Sequence, residues 1–76
     1  MSGSSEIEKA AFAYAKEAVK LDQQGNKAKA IEMYQKARQS LLQLAMAQPD
    51  YGPNKVYLQK AIAYQERIKQ LLGSSP

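Results

Sequence analysis

Three runs of apolar residues recur along this chain at steps of three and four, each mixing alanine with larger side chains. The first is Ile7, Ala11, Tyr14, Ala18 and Leu21, and the second is Ala30, Tyr34, Ala37, Leu41 and Leu44. The third is Tyr57, Ala61, Tyr64, Ile68 and Leu71. At 3.6 residues per turn this spacing puts the members of each run on one helix face. The alanines let helix axes approach closely while Tyr, Leu and Ile fill the space between them. The pattern predicts an all-α fold, an antiparallel three-helix bundle with helices over about 5–24, 27–47 and 54–72.

Local signals set the expected boundaries. Ser5-Glu6-Ile7-Glu8 has the form of a capping box, the Ser hydroxyl accepting from the amide three residues on while Glu8 reaches back. Gly25 suits the left-handed residue that closes a helix, and Asn26 suits the N-cap of the next, so a tight antiparallel turn is expected there. Gln48-Pro49-Asp50-Tyr51-Gly52-Pro53 is rich in breakers and reads as the one substantial loop. The third helix is expected to start within Pro53 to Lys55, Pro being at home in a first turn, and to close at Gly73. Met1 to Ser4 and Ser74 to Pro76 read as flexible tails or linker, leaving 5–73 as the domain.

Chemistry is scarce. With neither Cys nor His in 76 residues, the commonest general base, the strongest metal ligands and any disulfide framework are missing. No Gly-rich phosphate loop or nucleophile elbow occurs. Glu17, Asp22, Glu32 and Glu66 read as helix-surface charge. No catalytic role, cofactor or metal is expected. No apolar run approaches the ~20 residues of a membrane span, and MSGSSE lacks the basic and apolar regions of a secretory signal. The expectation is a cytoplasmic, monomeric domain without direct membrane insertion. The net charge of +4 raises the question of nucleic acid, but the cations are dispersed among acids, with a local excess only at Lys27, Lys29, Lys36 and Arg38. Phosphate-binding surfaces usually gather their cations on one face, so nucleic acid is not the expected partner; a basic helical nucleic-acid binder is the competing class.

Stability must therefore come from helix packing, and apolar residues outside the three stripes become informative. Phe12 and Val19 form a shorter second stripe on helix 1, with Ala15 between them and the core. Leu58, Ile62 and Leu72 flank helix 3, and Ile31 and Leu42 flank helix 2. They either widen the core or, where exposed, line grooves suited to an incoming peptide. Tyr14, Tyr34, Tyr57 and Tyr64 read as core residues whose hydroxyls reach the surface.

The run from Tyr14 to Asp22, then Gly25-Asn26, Ala30-Ile31, Tyr34 and Ala37, resembles the MIT (microtubule interacting and trafficking) domain, and Tyr64, Glu66, Arg67 and Leu71 extend the likeness through helix 3. The Gly-Asn, Ala-Ile, Tyr, Ala pattern also occurs in tetratricopeptide repeats, so a scaffold fragment of that kind is the second reading. One long helix on each side of Gly-Asn and a single third helix favour MIT, in particular the version found in archaeal cell-division AAA ATPases, relatives of the vacuolar protein sorting ATPase. The resemblance implies a non-catalytic module that binds C-terminal tails of ESCRT-III-type filament subunits and recruits an attached ATPase. Two modes are known in the family: a helical motif between helices 2 and 3, and an extended motif between helices 1 and 3. Gln65 stands where the family usually has a leucine that grips the helical motif, Arg38 where an aliphatic is common, and Lys27 where an aromatic often follows Gly-Asn. The expected groove is therefore that of helices 1 and 3, walled by Phe12, Ala15, Lys16 and Val19 with Ala61, Tyr64 and Ile68, and rimmed by Lys16 or Lys20. The second possible groove, between helices 2 and 3, comprises Leu58, Ile62, Gln65 and Leu72.

Overall fold

A computed structural model describes residues 3–47, 52 and 54–73, with side chains described from Glu6 onward. The chain forms three α-helices: α1, Gly3–Gln23; α2, Lys27–Ala47; and α3, Asn54–Leu72. The all-α three-helix bundle expected from the stripes is the observed fold. Apart from Gly52, the predicted loop over 48–53 lies outside the described residues, as do Met1, Ser2 and Ser74 to Pro76.

The bounds of α2 and α3 agree with expectation, but α1 begins at Gly3, so Gly3 and Ser4 extend the helix where a tail was expected. Ser5 is then already inside the first turn and is not the N-cap. Nothing in Gly-Ser forbids helical dihedrals, and Glu6 in that turn favourably faces the positive end of the helix dipole. The carboxylate of Glu8, expected to reach back to a cap, instead accepts a 2.7 Å hydrogen bond from the Tyr57 hydroxyl on α3.

The turn after α1 forms as the sequence indicates. Gly25 has φ of 81°, in the left-handed region that a side chain would strain. The Asn26 amide donates to the Leu21 carbonyl at 2.9 Å and the Gly25 amide to that of Asp22 at 3.0 Å, the paired bonds of a Schellman closure. The Asn26 carbonyl then accepts from Ala30 at 3.0 Å, starting α2.

All five members of the α2 stripe are buried, and Ala18 and Ala30 sit in one cluster with Tyr34, Ile68 and Leu71. A second cluster joins Ala11, Leu41, Leu44, Tyr57 and Ala61. Tyr64 packs against both, with its ring 5.7 Å from that of Tyr34. Tyr14 is half-buried beneath Lys36, whose Nζ lies 5.7 Å from the ring centroid, within cation–π range.

Both outer helices pack on α2; among the described residues no Cα of α1 comes within 8 Å of one in α3. At the far end of α2 the Asn54 side chain donates through Nδ2 to the Ala45 carbonyl at 3.1 Å. That carbonyl is one of the terminal acceptors a helix leaves without a partner, so the bond ties the start of α3 to the end of α2.

Leu41, 1% exposed, is the largest side chain sealed in the core. Leu41→Ala is expected to lower unfolding free energy by about 2–5 kcal/mol, the range for a buried Leu truncation that leaves a cavity. Urea titration followed by circular dichroism measures it; a loss under about 1 kcal/mol would mean that the cluster around Leu41 collapses into the gap.

Candidate functional site

Because α1 and α3 stay apart, side chains must bridge them, and two carboxylates of α1 do so. Glu8 receives the Tyr57 hydroxyl near one end. Near the other, Asp22 accepts from Arg67 through Nε to Oδ2 and Nη2 to Oδ1, both at 2.7 Å, and from the Tyr34 hydroxyl at 2.9 Å. The Asp22 side chain is only 14% exposed, so it is a bridging group and not the surface charge that its position suggested. Its partner in α3 lies 45 residues away, a pairing that no local pattern reveals. The hydrogen bond from Arg67 holds the Asp22 carboxyl below its ordinary pKa against the opposing effect of burial, and the Tyr34 bond assists. Burial first, and the Asp22 bond second, push the Tyr34 phenol up to about 12, which keeps it protonated as a donor at neutral pH.

The flank of α1 that carries these bridges also carries the apolar residues outside the core stripe. At 3.6 residues per turn Phe12 and Val19 fall within about a quarter turn of both Glu8 and Asp22. They are 46% and 43% exposed, and Lys16 between them is exposed. The remaining residues expected in this groove are less available. Ala15, Ala61 and Ile68 are buried, and Tyr64 is half-buried against Tyr34.

The opposite side of α3 holds a cleft of about 230 Å³, lined by Arg38 and Leu42 from α2 and by Leu58, Ala61, Ile62 and Gln65 from α3. Three residues expected in the second groove, Leu58, Ile62 and Gln65, are thus brought together. Leu72, exposed two turns further along α3, is not part of the lining. Ala61 lines this cleft, although the first groove had been expected to use it. Leu42 had been recognised as a flanking apolar residue, and Arg38 as part of the local excess of cations and as a departure from a family pattern. The step of four from Arg38 to Leu42, matched against Leu58, Ile62 and Gln65, is the signal that could have paired them.

Among the described residues no group of three or more acidic, His or Cys side chains could hold a metal ion. Among the described residues no helix is long and apolar enough to cross a membrane. Helical packing, exposed apolar flanks on α3 and α1, and side-chain bridges between separated helices define a helical protein-interaction module. A model of the MIT (microtubule interacting and transport) domain matches residues 8–73, and the chain belongs to that family. MIT is a non-catalytic domain that binds peptide motifs of partner proteins. No curated protein sequence matches the chain.

The Asp22 bridge has a pH signature. Its folded pKa is depressed, so the stability it contributes is present above the ordinary carboxylate pKa and is lost as pH falls through the folded value. Asp22→Asn is expected to be less stable than the parent at pH 7, with the gap closing below about pH 4. Thermal melts across that range test this; a gap that stays constant would show that the carboxylate's charge contributes nothing.

Proposed function

We propose that this MIT domain docks the C-terminal tail of an ESCRT-III-type filament subunit in the cytoplasm and thereby brings an attached AAA ATPase, of the archaeal cell-division or vacuolar protein sorting type, to the polymer for membrane remodelling, trafficking or cell division. The observation that carries the choice of site is the exposure of Phe12 and Val19 on the α1 flank that faces α3. Full burial of a Phe side chain stabilises a fold by about 1.5–3 kcal/mol, so leaving Phe12 nearly half in water withholds stability that a docked segment recovers.

In this reading an extended segment lies along α1, its apolar side chains against Phe12 and Val19 and beside Tyr64. Lys16 and Lys20 meet acidic residues at the rim, which steers encounter and fixes register more than it adds affinity. The α2–α3 side, with Leu58, Ile62, Gln65 and Leu72, is the second docking surface. A groove this short buries less than a standard interface, so micromolar binding, about 8 kcal/mol, is expected, made effective by repeated display of tails on a filament.

Phe12→Asp puts a charge on the proposed wall without touching a buried stripe residue. It is expected to weaken binding of an ESCRT-III-type tail peptide about tenfold or more while helix content is unchanged. Amide shift mapping of the parent with that peptide should move residues from Phe12 to Lys20. Undiminished binding by the variant, with shifts confined to α2, would remove the α1 site.

A further inference from the structure

Lysines that are scattered along the sequence come together in space. On α1, Lys9, Lys16 and Lys20 fall within about 40° of one another around the helix axis, roughly opposite the stripe that packs on α2, and all three are exposed. Phe12 and Val19 run alongside them, exposed on the flank toward α3. Across the seam, Val56 and Lys60 lie within about 20° of Arg67, the residue of α3 that reaches Asp22, so they share the flank of α3 that meets α1. Both are exposed. The carboxylates nearest this face are already engaged: Glu8 accepts from Tyr57, and Asp22 accepts from Arg67. Four lysines and Arg67 thus stand against two carboxylates, a surplus of three positive charges in a chain whose net charge is +4.

We infer that this face adsorbs on an anionic phospholipid bilayer. The ammonium groups meet the charged headgroups while Phe12, Val19 and Val56 reach the boundary with the acyl chains, which for the apolar side of a surface helix lies about 5–10 Å down. Each lysine held near an anionic membrane surface strengthens binding about fivefold, so four of them beside three apolar side chains make a stable contact where a single charge would not. The mixture of cations with apolar groups is what selects a bilayer. A nucleic-acid backbone would engage the lysines but would give Val19 and Val56 nothing to bury against. The contact is peripheral: α1 keeps its opposite face on α2, and among the described residues no helix can span the membrane. The inference does not rest on tail docking. It shares Phe12 and Val19 with the proposed tail site, so bilayer and tail compete for α1, whereas Lys9, Val56 and Lys60 belong to the bilayer contact alone.

Flotation with vesicles of equal parts phosphatidylserine and phosphatidylcholine tests it, with pure phosphatidylcholine vesicles for comparison and circular dichroism confirming the fold of each variant. Binding is expected on the anionic vesicles only, and it should weaken as salt is raised. Lys9→Glu/Lys60→Glu should lower it about tenfold or more while leaving affinity for an ESCRT-III-type tail peptide within about twofold. Val56→Ser should lower vesicle binding about threefold. No binding to the anionic vesicles, equal binding to the neutral ones, or binding that survives the double charge reversal would overturn the inference. Duplex DNA bound as tightly as the vesicles, with Val56→Ser without effect on either, would assign the face to phosphate backbones and equally overturn it. Vesicle binding without tail binding would remove the functional reading and leave this one standing. Tail binding without vesicle binding would do the reverse.

Discussion

The fold depends on α2 presenting one apolar face to two neighbours at once. Ala30 and Ala37 are fully buried on that face beside Tyr34, Leu41 and Leu44, and Ala18 meets it from α1. Small side chains bring the outer helices close to α2, and large ones fill the volume on either side. With both outer helices committed to α2, α1 and α3 are left without backbone contact of their own. Two open surfaces follow from this geometry: a seam between α1 and α3 without close Cα approach, and an apolar cleft lined by α2 and α3.

A seam without backbone contact needs spacers. Glu8 with Tyr57 and Asp22 with Arg67 provide them, 14 positions apart along α1, which is about 21 Å of helix. Both bonds join a carboxylate of α1 to a longer side chain of α3, and buried residues of the two helices also share both apolar clusters. Tyr34 extends the second bridge into α2, and Tyr64, stacked on Tyr34, joins the two halves of the core. The tyrosines therefore combine ring packing with directed hydrogen bonds, and the hydroxyls of Tyr34 and Tyr57 end on carboxylates.

How much of this the sequence carries differs by level. The helices were legible because a period of 3.6 is a one-dimensional signal, and Gly25-Asn26 carries its own local chemistry. The capping box at Ser5 was not decisive, because helix ends are weakly determined and Glu8 has a partner in α3 that local spacing does not show. Three of the seven residues expected in the α1–α3 wall are buried, for a geometric reason. Ala15, Ala61 and Ile68 lie close enough to the core direction to be consumed by it, whereas Phe12 and Val19, further round α1, are not. Asp22 and Arg38 show the same limit from opposite sides: a charged residue looks like surface until its neighbours in space are known. One proves to be a bridge and the other a donor without a partner.

Exposed apolar side chains in so small a chain have a stability consequence. A domain of this size buries a modest share of its surface and stands close to marginal stability, with no disulfide or metal ligand set to reinforce it. Phe12, Val19, Leu58 and Ile62 are each left about half in water, and so each forgoes about half of the roughly 1.5–3 kcal/mol that full burial gives. Against a typical total of about 5–15 kcal/mol, leaving them outside is a large sacrifice. Closing the seam would not bury them all, because Leu58 and Ile62 line the cleft on the α2 side of α3. Nor could Phe12 and Val19 be buried by rotating α1, since that would draw Ala18 off α2 and turn the carboxylates of Asp22 and Glu8 toward the core. The same alanine contacts that make α2 a close-fitting centre thus fix which apolar residues stay outside, and they leave α3 with an open apolar flank on the side of α2.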